Sequence, residues 1–294
     1  MTREFLEQAV DTHVHTKPDG APRKMTDLAV AREALQAGMG GFVTKCHQGD
    51  TSARAAVVTE ALELLYPGTG FRVYGGVVLN HGVGGLNPSA VYASGKMGGR
   101  FVWFPTVDAA NDAWYKKRHA GKKGLGGSNE QPLQKPKIRI LDEEGNLIPA
   151  VDEVLEQIKA FDMVLATGHI SVRESLALVR QAAKLGIRKI LVNHVSLPIT
   201  QAGLDVQKEY VALGAVVEHC YYTPMAGLCA WEDIWESIKT LGPDHVILST
   251  DLGQPANVSP TEGLETFAER LHAMGIQKKA FQEMLVVNPG KLLG

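Results

Sequence analysis

Cysteine is scarce in this chain. There are three, Cys46, Cys220 and Cys229, an odd number without C-x-x-C spacing. Neither a disulfide framework nor a structural zinc knuckle is expected, and a reducing compartment is the expectation. Charge of one sign is lacking too: Lys and Arg total 30 against 32 Asp and Glu, a formal net charge of −2. Neither nucleic acid nor an anionic membrane is expected as a partner. No apolar run approaches a membrane span, and Met1 to Gln8 are too polar for a signal peptide. A soluble cytoplasmic protein is the expectation. The Gly-rich run Gly124-Leu125-Gly126-Gly127 lacks the G-K-[ST] ending of a phosphate-binding P-loop, so nucleotide binding is excluded.

What is present is a large apolar fraction, 45% of 294 residues, enough for one barrel-sized domain or two smaller ones. No internal repeat or low-complexity linker divides it, so a single domain over residues 1–294 is expected. Apolar runs of strand length alternate with helical patterns. The strands are read at Ala9–His15, Gly41–Lys45, Arg72–Leu79, Phe101–Val107, Met163–Thr167, Lys189–Asn193, Ala215–Glu218 and His245–Thr250. Helices are read over Met25–Ala37, Ser52–Leu65, Val151–Phe161, Val172–Leu185, Leu204–Leu213, Trp231–Leu241 and Glu262–Met274, with a last one before Asn288-Pro289-Gly290. Eight strands with interposed helices predict an α/β fold, a (β/α)8 TIM barrel. The alternative is an open doubly wound sheet with its ligand at a switch point. The third βα unit is poorly marked, because Asn87 to Gly99 is short and Gly-rich. Residues 108–149 read as an irregular insertion after the fourth strand, long enough to cover the barrel mouth, with a hairpin pairing Ile138–Leu141 and Asn146–Ile148.

The first strand ends in His13-Val14-His15. Residues i and i+2 of a strand share a face, so two imidazoles there reach one metal ion and leave positions open for water or substrate. In a barrel the C-terminal strand ends carry the chemistry. The second strand ends in Lys45-Cys46-His47, the fifth in Thr167-Gly168-His169 and the sixth in Asn193-His194. The seventh ends in Glu218-His219 and the eighth in Thr250-Asp251. Ligand-type residues on this many consecutive ends are hard to reconcile with packing alone. Each has a plainer reading. His13 and His15 are otherwise solvated loop histidines, His169 and His194 capping or core residues, and Asp251 an Asx-turn residue before Leu252-Gly253. Lys45 reads almost equally as a snorkelling lysine, and His47 is balanced. Glu218 and His219 are weaker candidates for substrate contact. Cys46 and Cys220 read as small packing residues.

This arrangement resembles the amidohydrolase superfamily of metal-dependent hydrolases. The resemblance rests on Asp11-Thr12-His13-Val14-His15, His169, His194 and Asp251, and spans the chain; Asn288-Pro289-Gly290-Lys291-Leu292-Leu293-Gly294 also looks like that superfamily's N-P-A-x-x-L-G ending. It implies that His13, His15 and Asp251 hold one divalent metal, and that His169 and His194 hold a second or complete the first. One departure stands out. Many binuclear members carry a bridging carboxylated Lys or a Glu on the fourth strand, which here reads Phe101 to Asp108 with neither. Lys45 is the substitute, as a carboxylated bridge or as a cation holding a substrate carboxylate. Thr44-Lys45-Cys46-His47 is similar to a less characterised branch with K-x-H on the second strand.

The resemblance implies a metal-activated water acting on a small amide, cyclic amide or lactone. One or two ions are expected, zinc first and manganese as the alternative. Asp251 is the expected base and His194, or His47, the stabiliser of developing oxyanion charge. The competing readings are a mononuclear decarboxylase or lyase, which releases carbon dioxide rather than consuming water, and a non-catalytic metabolite-binding barrel with a closed metal site. Lys116-Lys117-Arg118-His119 and Lys122-Lys123 read as a solvated basic loop or as a lid, with Trp114 and Tyr115, that draws in an anionic substrate. Substrate identity is not encoded in the fold, and a homo-oligomer is an open expectation.

Overall fold

Strand β1 (Val10–Val14) begins a parallel ladder that runs round the molecule. The computed structural model describes residues 4–119 and 135–294. β2 (Gly41–Thr44) pairs with β1, and β3 (Arg72–Tyr74) with β2. β4 (Gly76–Val78) follows after Gly75 alone and pairs forward with β5 (Phe101–Trp103). β6 (Val164–Ala166), β7 (Ile190–Val192), β8 (Val216–Cys220) and β9 (Val246–Ser249) then follow in order, each parallel to the last. β3 and β4 are thus two halves of the expected third strand. The Thr51 hydroxyl fills the break in the ladder: it donates to Thr44 O at 2.8 Å and accepts from Gly76 N at 2.9 Å.

The last strand returns to the first. Asp251 N donates to His13 O at 2.9 Å and His15 N to Leu252 O at 2.8 Å, with a parallel bridge between Val14 and Leu252. Side chains add to this seam, since Thr250 Oγ1 donates to Asp11 Oδ2 at 2.5 Å and Thr250 N to Asp11 Oδ1 at 3.1 Å. The eight-strand α/β barrel is therefore as expected.

Alternation along buried strands sorts the side chains into two cores. Val10, Val43, Val78, Trp103, Ala166, Leu191 and Ile247 pack inside the barrel, and Leu292 and Leu293 of the last helix join them. Phe42, Val77, Val102, Leu165, Val192, Val217 and Leu248 face outward against the helices. Those helices start where the sequence supplies caps. Ser171 with Glu174 and Ser259 with Glu262 form capping boxes, and Thr26 accepts from Ala29 N.

The poorly marked stretch after β4 holds a helix, Pro88–Lys96, whose N-cap Asn87 accepts from Ser89 N, so the third βα unit is present. Three expectations need correction. The region read as irregular contains a helix at Ala110–Arg118, with Asp112 in its first turn and three basic residues in its last, an arrangement that suits the helix dipole. The expected hairpin shrinks to one antiparallel bridge, Leu141 with Leu147, because Ile138 pairs in parallel with Ala109 instead. At the C-terminus, Asn288–Leu293 is itself helical. Lys122, Lys123 and the run 124–127 lie outside the described residues. Among the described residues no helix is long and apolar enough to cross a membrane.

Candidate metal centre

The H-x-H pair projects into the barrel because the β1–β2 register shifts between Asp11 and Val14. Such an irregularity re-aims the residues that follow it, and Val14 packs in the outer core. His13 Nδ1 donates to Glu218 Oε2 at 3.1 Å, and His15 Nδ1 donates to the Lys45 carbonyl at 3.0 Å. With each Nδ1 carrying its proton, each Nε2 keeps its lone pair, and both nitrogens face Asp251. His15 Nε2 is 3.1 Å and His13 Nε2 3.4 Å from Asp251 Oδ1. Asp251 is held in the left-handed region (φ 53°), as is His194 (φ 57°). Non-glycine residues rarely adopt it, and its appearance at the ends of both β7 and β9 marks a site whose surroundings impose the geometry. Gly253 (φ 139°) follows, and a Cβ there would lie 1.9 Å from His15 O. Only glycine lets the β9 exit pass so close to the H-x-H strand.

The other expected histidines gather around this pair. The His194 ring lies 4.8 Å from that of His13 and 5.4 Å from that of His169; His47 lies 4.8 Å from His15 and 6.1 Å from His169. His169 Nδ1 meets Asp112 Oδ1 at 2.9 Å, and Lys116 Nζ meets Asp112 Oδ2 at 2.9 Å. His47 Nδ1 lies 2.9 Å from Thr106 Oγ1, and His194 Nδ1 lies 3.2 Å from Cys220 Sγ. Lys45 is fully buried, its Nζ 3.0 Å from His13 Nε2 and 5.5 Å from the ring centroid of Trp103. Trp103 occupies the fourth barrel strand, so Lys45 reaches from the second strand toward the place left without a ligand there.

Two expected substrate contacts are placed elsewhere. His219 faces outward, opposite to Glu218 along the strand, with Nδ1 3.1 Å from Ser196 Oγ and Nε2 2.9 Å from Ser237 Oγ. The seryl pair holds it against a helix, which corrects its assignment to the substrate site. Glu218 points inward but lies beneath the histidines, accepting from His13 Nδ1, from Asn193 Nδ2 at 2.8 Å and from Thr12 Oγ1 at 3.4 Å. Its carboxylate thus meets His13, Asn193 and Thr12. Within the expected lid, Trp114 is exposed and packs under Arg118, away from the site.

Burial keeps these rings neutral. It drives His13 to about 3, helped by the Lys45 charge, and His194 also to about 3, with Asp251 opposing. It likewise lowers His15, His47 and His169. Neutral imidazoles are the ligand form, so protons do not compete with a metal at neutral pH. Burial also lowers Lys45, against the pull of Asp251 and Glu218. Two Nε2 atoms and one carboxylate oxygen within reach of a common point suit a divalent metal ion. A cavity of about 480 Å³ opens above them, lined by His15, His47, His169 and Asp251 together with Arg23 and Lys116.

A strand-end histidine site on this barrel defines the class: the chain has the fold of amidohydrolase-type proteins. Similar solved structures include the probable dipeptidase PvdM from Pseudomonas aeruginosa, at 12% identity and TM-score 0.63 over 99% of this chain and 96% of that one. An amidohydrolase from Pseudomonas aeruginosa matches at 10% identity and TM-score 0.61, covering 99% and 97%. An organophosphorus hydrolase from Deinococcus radiodurans matches at 15% identity and TM-score 0.57, covering 99% and 94%. No curated protein matches the sequence. The chain belongs to DUF6282, a family of unknown function whose model matches residues 8–218. That span takes in His13, His15, Lys45, His47, His169, His194 and Glu218, while Asp251 lies beyond it.

Sequence reasoning missed Arg23, Asp112 and the placement of Lys116 in the cavity wall. The signal for Asp112 was present: an acidic residue followed by a basic one at i+4, opening a run with basic residues at its end. Arg23 carried no comparable signal.

Proposed function

We propose that the chain is a metal-dependent hydrolase of a small amide, cyclic amide or lactone. The observation that carries this reading is the convergence of His13 Nε2, His15 Nε2 and Asp251 Oδ1 beneath an open cavity, with both Nδ1 atoms engaged elsewhere. A divalent ion held there, zinc or manganese, supplies a water of lowered pKa and a Lewis acid for the scissile carbonyl. The chain's own residues do the rest. Asp251 takes the proton of the attacking water and returns it to the leaving group. His194 and His47 stand where negative charge grows on the carbonyl oxygen. Asp112 fixes His169 through its Nδ1, leaving Nε2 toward the cavity. Hydrolytic activity in the names of similar structures, dipeptidase and organophosphorus hydrolase among them, supports the reading.

Lys45 decides between one ion and two. An amine 3.0 Å from His13 Nε2 stands on the lone pair that a cation needs. Addition of carbon dioxide to the neutral Lys45 amine, with loss of one proton, would give a carbamate whose carboxylate could serve two ions. If it stays unmodified, Lys45 must turn aside and leave a mononuclear centre, the arrangement in which a decarboxylase or lyase competes with a hydrolase. Metal analysis of untagged protein tests the reading. Two ions per chain, lost together in Lys45→Ala, with an intact mass raised by one carbon dioxide, support the bridged hydrolase. One ion, unaffected by that change, supports the mononuclear centre. No metal after reconstitution overturns the function.

A further inference from the structure

Arg23 sits in the wall of the same cavity with its guanidinium half engaged. Its side chain is 7% exposed, and Nε donates to Asp19 Oδ2 at 2.6 Å. Asp19 is itself pinned, accepting from Ala21 N at 3.2 Å and from the Cys46 thiol at 3.5 Å. Among the described residues no acceptor lies against Nη1 or Nη2. The two unused N–H groups border the cavity over the histidines, where an oxygen ligand can accept from them. Its charge is felt across that space. His15, held well below its usual range first by burial and next by Arg23, lies within its field. The other cation of the wall, Lys116, is already paired with Asp112 at 2.9 Å.

We propose that Arg23 recognises a carboxylate on the substrate, which accepts from Nη1 and Nη2 while the scissile carbonyl lies over His13, His15 and Asp251. The proposal rests on the hydrolase reading and narrows its substrates to anionic ones. With Nε taken by Asp19, the free edge is the end-on fork of two N–H groups, which matches a planar carboxylate. A phosphate dianion would call for further free cations, and the wall's Lys116 is not free.

Calorimetric titration tests this without turnover. Succinate, its neutral diamide and inorganic phosphate are titrated into wild-type and Arg23→Met protein, each with and without zinc. Succinate is expected to bind wild type in both metal states and to bind Arg23→Met at least about tenfold more weakly. The diamide is expected to show no dependence on Arg23. Equal succinate affinity in the variant overturns the proposal, and so does phosphate binding more tightly than succinate. If Arg23→Met leaves Asp19 unpaired and unfolds, the double variant Asp19→Asn/Arg23→Met removes both charges and gives the same readout. Arg23-dependent binding in a protein that hydrolyses nothing would refute the hydrolase reading and leave the carboxylate site standing.

Discussion

His13 and Glu218 meet inside the barrel, Nδ1 to Oε2 at 3.1 Å, from strands that place them 205 residues apart in sequence. That contact sets the tautomer of His13 and so the direction of its free lone pair. Carboxylates that orient a ligand histidine typically contribute 10- to 100-fold in metal affinity. Glu218→Gln is therefore expected to fold normally and to lose about tenfold in zinc affinity by chelator competition. Glu218→Ala is expected to cost a further 1–3 kcal/mol of stability, roughly, because Asn193 Nδ2 loses its buried acceptor. Unchanged zinc affinity in Glu218→Gln would show that the contact is merely structural.

Asp251→Asn separates chemistry from folding. Asn tolerates the left-handed backbone at this position, so melting temperature without metal should hold. Turnover should fall by about 10²- to 10⁴-fold through loss of the proton acceptor. Retained activity would remove Asp251 from the base role.

The helix Ala110–Arg118 reaches the histidine cluster through Asp112. Burial pushes the Asp112 carboxyl up, but His169 and Lys116 outweigh it and hold it below the ordinary range. Asp112→Asn is expected to weaken binding at His169, read as a roughly 10-fold or greater loss in affinity for the more weakly held ion. If a single ion binds and its affinity is untouched, His169 is not a ligand.

His219 gives a pH signature remote from catalysis. Burial lowers it to about 4, against an ordinary value of 6.5. Between those values the unfolded chain takes up the proton and the folded chain does not. The contribution to stability is thus complete above pH 6.5 and is lost as pH falls toward 4, worth about 3 kcal/mol at most. His219→Gln should be less stable than wild type at pH 7, with the gap narrowing or reversing near pH 4.5, as measured by urea unfolding. Parallel curves would refute this.

The strands were legible because buried parallel strands are short apolar runs, and their ends because ligand-type residues break those runs abruptly. The same period of two that joins His13 to His15 separates Glu218 from His219, so the outward turn of His219 was implicit in the sequence. The shift between Asp11 and Val14 was not, since nothing in Val10-Asp11-Thr12-His13 announces an irregular pairing. Arg23 was hidden for a different reason, and the i+4 signal at Asp112 marks a helix but not where that helix leads. Both come from segments outside the strands, and their approach to the histidines depends on how those segments fold back over the barrel.

Finally, His15 and Asp251 lie 236 residues apart in sequence. At ribosomal rates of about 5–20 residues per second, roughly 10 to 50 s separate their synthesis. Throughout that interval the histidine pair lacks the Asp251 carboxylate and the closed seam. The complete set of His13, His15 and Asp251 exists only after the last strand docks. Metal supply would therefore be expected to govern how much finished protein is loaded rather than how fast the chain folds.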